Sequence, residues 1–226
     1  MHTTITAALT ALAMTTVVMG HLVVDPIGDI ATGNRNLDIG SVSITDDGVD
    51  VFVSLTVDLL DGDWGKYMLF LDFDGDLSGS GDNDNPWARN VSGLSGTDTF
   101  VGTWLDGGGG VDMQEYVNGG WQSSSGSVWA SLSINWAANS INWTFHGAVT
   151  GSIADGYNGF EIEVATTGGG SGDPAIDLLG DEGTQPGWGS GSHSSEQYYY
   201  QFSTVPAPGA LALLGLVGLY GRRRRH

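Results

Sequence analysis

Cysteine is absent from the 226 residues, which excludes a disulfide-stapled scaffold, a thiolate metal centre and a cysteine nucleophile. Basic side chains are almost as scarce, with Lys and Arg totalling 7 against 26 Asp and Glu. Four of those seven are Arg222, Arg223, Arg224 and Arg225, so residues 21–204 hold 3 basic groups against all 26 acids, a formal charge of −23. A surface of that sign repels polyphosphate and anionic lipid, and nucleic acid is not an expected partner. Long apolar runs are also missing: nowhere do the roughly 20 consecutive apolar residues of a stable bilayer span occur. What the chain has instead is 37 glycines, 8 tryptophans and valine, isoleucine and leucine recurring at strand spacing. That composition is expected to fold rather than to stay disordered, and the length suffices for one substantial core.

The two ends read as addresses. Ile5 to Met19 (ITAALTALAMTTVVM) is apolar, rich in small residues and preceded only by Met1 and His2, which predicts a cleavable signal peptide over residues 1–20. At the other end Val205, Pro206, Ala207 and Pro208 precede GALALLGLVGLYG and then RRRRH. As a helix, Gly209 to Tyr220 would span only about 18 Å, and the arginines would hold that end on the cytoplasmic side. This order of a VPAP signature, a short glycine-containing apolar helix and an arginine run over residues 205–226 resembles the PEP-CTERM sorting signal. The resemblance implies a Gram-negative bacterium, an exosortase-type processing enzyme as partner, and transient anchoring in the inner membrane through the C-terminal helix. It implies an exported protein, at the cell surface or extracellular, and bears on location rather than activity.

Between these ends, residues 21–204 alternate as strands do. Leu37 to Thr45 and Val49 to Asp58 flank Asp46-Asp47-Gly48, with Val49, Val51, Val53, Leu55 and Val57 on one face, which predicts a hairpin. Lys66 to Phe73 (KYMLFLDF) is apolar on both faces, as a central strand is. Further strands are expected at Thr99 to Leu105, Val111 to Val117, Ser127 to Trp136, Ile141 to Val149, Gly159 to Thr166 and Tyr198 to Ser203. Some nine short strands without an amphipathic helix predict an all-β fold, a β-sandwich or jelly roll. The opening Asp25-Pro26-Ile27-Gly28-Asp29 with Leu37-Asp38-Ile39, the run LFLDFDGD from Leu69 to Asp76, and DPAIDLLGD from Asp173 to Asp181 together resemble DOMON-like sandwiches related to family 9 carbohydrate-binding modules. That resemblance implies a sandwich fold and a glycan-binding class, without designating which tryptophans hold sugar.

Asp72, Asp74, Asp76, Asp82 and Asp84 lie within thirteen residues among Gly75, Gly79 and Gly81. Carboxylates crowded on one loop repel unless a hard cation with several oxygen sites neutralises them, so calcium is the expected ligand, the alternative being a solvated acidic loop. The spacing is not an EF-hand, since glycine stands fourth and Asn83 twelfth. Asp25 and Asp29 form a second, weaker candidate. Glu161 and Glu163, two apart in GFEIEVA, share a strand face as catalytic glutamates of jelly-roll glucanases do, but Thr166 stands where a third acid would, and a solvent-facing pair is expected. His146 and His193 stand apart from any catalytic motif. Trp64, Trp121 and Trp188 lie in glycine- and aspartate-rich loops and are the candidate sugar-stacking residues. The expectation is a noncatalytic exported module of the cell surface or matrix that binds extracellular polysaccharide and is stabilised by calcium. The alternatives are a small secreted glycan-active hydrolase and a purely structural matrix protein.

Overall fold

The computed structural model describes residues 20–75, 79–82, 84–124, 129–180, 188, 192–193 and 197–203. The expected signal peptide, apart from Gly20, and the expected sorting tail with its apolar helix lie outside the described residues, as does Asp76. Among the described residues no helix is long and apolar enough to cross a membrane.

Among the described residues fourteen strands follow one another: β1 (His21–Val24), β2 (Ile39–Asp46), β3 (Val51–Val57), β4 (Lys66–Asp72), β5 (Val91–Ser92), β6 (Thr99–Trp104) and β7 (Gly110–Tyr116), then β8 (Trp121–Ser123), β9 (Trp129–Asn135), β10 (Ser140–His146), β11 (Gly159–Thr167), β12 (Ala175–Leu178), β13 (Ser192–His193) and β14 (Tyr198–Gln201). One helix, α1 (Ala148–Asp155), separates β10 from β11. Two antiparallel sheets result. The first has the order β1-β2-β3-β10-β9; the second runs β12-β11-β4-β6-β7-β8, with β14 also pairing β11. β5 and β13 form a short parallel pair beside them.

The hairpin of β2 and β3 is as expected, and its turn is closed by carboxylates. Asp47 accepts from the amides of Val49 and Asp50 at 2.9 and 2.8 Å, Asp46 from that of Gly48 at 2.9 Å, and Gly48 takes φ 86°, a conformation that costs glycine little. Period-two alternation then buries Val51, Val53, Leu55 and Val57 while Phe52 stays exposed. Val49, expected on the buried face, belongs to the turn and is exposed.

The core between the sheets joins Val42, Ile44, Val53, Leu55, Ile141 and Trp143 of the first to Leu69, Leu71, Val101, Ile162 and Val164 of the second. Each such side chain contributes about 1.5–3 kcal/mol by leaving water. The Trp143 indole N–H spans the gap to Thr103 Oγ1 at 2.8 Å. β4, apolar on both faces, also supplies Met68 and Phe70 to a second core with Val91, Leu94, Phe100, Ala165, Ala175 and Leu178. The outer face of the second sheet is thus roofed by loops rather than open to water.

The expected strand from Ile141 to Val149 stops at His146 because Gly147 turns to φ 71°, and α1 then runs to Gly156 at φ 99°. The eight-residue helix takes the place of the expected strand end, its apolar stripe being too short to stand out from the strand pattern around it.

Candidate functional site

β4 ends in Asp72, whose Oδ1 accepts from the amides of Asp74 and Gly75 at 3.1 and 2.7 Å. The register Leu71 opposite Thr99 brings Asp98, just before β6, to the same end of the sheet. Asp98 Oδ2 accepts from the Phe73 amide at 2.9 Å, while its buried Oδ1 has no hydrogen-bond partner. Carboxylate oxygens of Asp72, Asp74 and Asp98 all lie within 4.8 Å of one another. Burial pushes Asp72 up to about 7, the backbone N–H of Gly75 opposing and the charges of Asp98 and Asp74 adding to it. Asp98 is pushed up to about 6, again chiefly by burial. Asp74 and Asp98 open onto a cavity of about 350 Å³ that Thr99, Glu115 and Tyr157 also line. Three hard oxygen donors, one with an unused lone-pair direction, fit calcium better than a softer metal.

The membership differs from the expectation. Asp82 is exposed and its Oδ1 accepts from the Gly93 amide at 2.5 Å. Asp84 is exposed too, and its carbonyl holds the Trp121 indole at 3.0 Å. Neither belongs to the cluster, whose third member is Asp98, 26 residues along the chain from Asp72. Only strand register could have revealed it.

A second group unites all three segments of the DPIGD, LDI and DPAIDLLGD motifs. Asp25, Asp29 and Asp177 have carboxylate oxygens within 4.8 Å. Asp177 is fully buried and accepts from the amides of Ile39 at 2.6 Å and Leu178 at 3.0 Å. Asp38 accepts from the Gly28 amide with both oxygens. Burial pushes Asp177 up to about 9, the Ile39 amide opposing and the charges of Asp25, Asp29 and Asp38 adding to it, which favours its protonated form at neutral pH. Whatever else it does, Asp177 ties the loop before β2 to β12.

Of the three expected tryptophans, two meet. Trp64 and Trp188 lie 6.2 Å apart between ring centroids, 38% and 48% exposed. Trp121 does not join them: it packs on Tyr116 at 5.3 Å and Phe100 at 6.1 Å, with its N–H tied to Asp84. Two indoles outside the expected trio, Trp87 and Trp104, flank a cleft of their own. Trp87 lies across Gly102, where an added Cβ would sit 2.2 Å from the ring, and Trp104 lies across Gly110 at 2.1 Å. Both line an open cleft of about 280 Å³ with Lys66, Arg89 and Ser171. A Cβ built on Gly168 would lie 2.7 Å from the Trp188 ring, and one on Gly169 would lie 3.4 Å from the Trp64 carbonyl and 4.0 Å from the Lys66 stem, so the loop bearing Ser171 runs beside the exposed pair. The legible signal was Phe100-x-Gly102-x-Trp104, an alternation that places a bare seat beside an aromatic on one face.

Two catalytic readings change. Glu163, expected on a solvent face, is 1% exposed, because loops cover that side of β11. Its Oε1 accepts from the amides of Val164 at 2.8 Å and Leu179 at 3.2 Å. Glu161 is half-buried at the strand's beginning, opposite Asp72. His146, expected to stand alone, bridges two partners. Its Nε2 is 3.0 Å from Ser131 Oγ and its Nδ1 3.0 Å from Asp50 Oδ2, while Asp50 Oδ1 accepts from the Gly147 amide at 2.8 Å. Asp50 on Nδ1 leaves Nε2 to accept from the serine, the polarity of an acyl-transfer relay. The Trp129 ring covers the imidazole at 4.0 Å. This chain of groups lies on the outer face of the first sheet, and none of its members lines the cavities described above. No protein-family model matches the sequence, and no significant match is found among curated proteins.

Proposed function

We propose that the protein is an exported, noncatalytic module of the cell surface or extracellular matrix, a DOMON-like or jelly-roll sandwich that binds extracellular polysaccharide and is stabilised by calcium at Asp72, Asp74 and Asp98. Residues 1–20 direct export, and residues 205–226 are a PEP-CTERM-type tail processed by an exosortase-type enzyme. The observation that carries the binding reading is the grouping of four indoles, the exposed Trp64 and Trp188 with Trp87 and Trp104, around one loop and one cleft. Indole faces stack on the C–H faces of sugar rings, and a protein displays so much aromatic surface at a cost in solubility. Affinity electrophoresis in gels containing polysaccharide tests this: the wild-type chain is retarded and Trp64→Ala/Trp188→Ala migrates freely. Equal mobility of the two in every gel refutes it.

A second reading, a secreted hydrolase, is favoured by one specific observation, the Ser131–His146–Asp50 relay. It points to acyl transfer rather than to glycoside cleavage, since Glu163 is held by backbone amides. Covalent labelling by a fluorophosphonate probe that disappears in Ser131→Ala would promote it; absence of labelling leaves the relay a structural hydrogen-bond chain.

A further inference from the structure

The domain has three cationic side chains, and they are placed unevenly. Arg35 is at the surface, spent on a two-pronged pair with Asp58. The other two, Lys66 and Arg89, line the same indole cleft. In a domain of formal charge −23, this cleft gathers two of the three cations beside two aromatic faces. Arg89 is 6% exposed. Its backbone is clamped by Asn85, which accepts from the Arg89 amide at 3.0 Å and donates to its carbonyl at 2.8 Å. Its guanidinium donates through Nη1 to the carbonyls of Gly170 and, at 3.0 Å, Asp173. Nε has no hydrogen-bond partner, and among the described residues no carboxylate lies within ion-pair distance of Arg89. The nearest acid, Asp173, turns its Oδ2 to the Gly170 amide at 2.7 Å. Burial pulls Arg89 below the usual guanidinium range while the charge of Asp173, beyond ion-pair distance, opposes it only in part, and a buried cation hydrogen-bonded to carbonyls alone is costly unless further countercharge is supplied.

Lys66 reaches the cleft from the edge of β4. Its Nζ holds Asp106 at 2.8 Å; the Lys66 side chain is 14% and Asp106 53% exposed, in the glycine-rich turn after β6, so a ligand carboxylate would share the ammonium with Asp106 or displace it. Trp87 is fixed by its own N–H to Asp112 Oδ2 at 3.3 Å. The register Lys66 opposite Trp104 and Trp104 opposite Gly110 sets the ammonium and the indole side by side on the outer face.

We infer that the cleft between Trp87, Trp104, Lys66 and Arg89 binds a carboxylated sugar, a uronate residue of an oligosaccharide, with the indoles stacking on the ring and the two cations meeting the carboxylate. This rests on the glycan-binding reading and narrows its ligand. A planar carboxylate matches a guanidinium better than a hydroxyl does. About 280 Å³ is near the lower end of small-molecule sites, room for one sugar residue rather than a chain. Acids beyond about 8 Å are screened at physiological salt, so Lys66 and Arg89 act on a ligand carboxylate against the nearby Asp106, Asp112 and Asp173.

Calorimetric titration of the full chain tests the inference, with trigalacturonate, trimannuronate and triguluronate, each beside its methyl ester, at 0.15 M salt in chelator. At least one acid form is expected to bind ten-fold or more tighter than its ester, weakening as salt rises. Lys66→Gln is expected to weaken it five-fold or more and Lys66→Arg to retain it, with melting temperatures unchanged. Because Arg89 is buried and its replacement can unfold the loop, Trp104→Ala serves as the second variant and should abolish binding. Equal binding of acid and ester overturns the charge preference while leaving a neutral-glycan module. Binding that appears only with calcium and is unaffected in Lys66→Gln assigns the ligand to the acidic loops and also overturns it. Failure of every sugar, charged or esterified, overturns the uronate inference, while the glycan-binding reading is decided by the gels with Trp64→Ala/Trp188→Ala.

Discussion

Replacing Asp72 by asparagine should stabilise the calcium-free protein and at the same time abolish its response to calcium. Folding carries Asp72 from an ordinary carboxylate pKa of 3.8 to about 7, with burial as the main cause. At about 1.36 kcal/mol per unit the shift bounds the cost of ionising Asp72 at about 4 kcal/mol, and solvent at the cavity rim brings it to ~2. The folded pKa is raised, so the unfolded chain gives up its proton first. The Asp72 contribution to stability in chelator is therefore complete below pH 4, is lost as pH rises towards 7 and changes no further above it. Asp98, raised to about 6, acts in the same direction. Asparagine keeps an Oδ1 for the amides of Asp74 and Gly75 but carries no charge, so at pH 8 in chelator Asp72→Asn should gain ~2 kcal/mol, roughly 4–8 °C in Tm for a domain of this size. Calcium inverts the ranking. It binds the ionised cluster of the folded state, adding about 2.7 kcal/mol to the wild type at a hundredfold excess over Kd, and its effect grows from pH 5 to pH 8 as protons leave. Melting curves of wild type and variant at both pH values, in chelator, millimolar calcium or millimolar magnesium, read this directly. A variant no more stable than wild type in chelator at pH 8, or one that gains as much from calcium, refutes the reasoning.

Other consequences follow from single contacts. Gly102→Ala drives a methyl into the Trp87 ring, 2.2 Å from where a Cβ must sit, and should lower the urea-unfolding free energy by about 1–3 kcal/mol. Asp177→Ala leaves the buried amides of Ile39 and Leu178 without an acceptor, a loss of roughly 2–4 kcal/mol by the same assay. Because Asp177 is raised to about 9, its contribution in the wild type is complete below pH 4 and disappears as pH climbs to 9. In the native host, N-terminal sequencing of the mature protein should find Met1 to about Gly20 removed. Deleting Arg222 to Arg225 should change the fraction processed near Val205 to Pro208; unchanged processing and location would contradict the sorting assignment.

The elements legible in the sequence were those whose signal is local. The Val51 to Val57 alternation, the aspartate turn before it and the doubly apolar KYMLFLDF run each state a burial pattern within one strand, and β2, β3 and β4 follow them closely. What escaped depends on which strands become neighbours. Asp98 enters the acidic cluster through the β4–β6 register, and Ser131 reaches His146 through the β9–β10 register. Glu163 had the right spacing for a solvent-facing strand residue, but period two says only that faces differ. Whether the second face is wet depends on the loops that carry Val91 and Leu94 over the sheet. Trp64 and Trp188, 124 positions apart, were separately recognisable as loop residues, yet their pairing, and the seating of Trp87 and Trp104 on glycines, are properties of the assembled sheet.

The central claim is that the indole surface binds glycan on a domain held together by a cation. It is met most directly by a glycan-array screen of the protein recovered from its host, run in millimolar calcium and again in chelator. The account predicts signal on a restricted set of polysaccharide fragments, stronger with calcium, and weakened in Trp64→Ala/Trp188→Ala. A blank array in both buffers, or a signal that the double variant keeps undiminished, would contradict it.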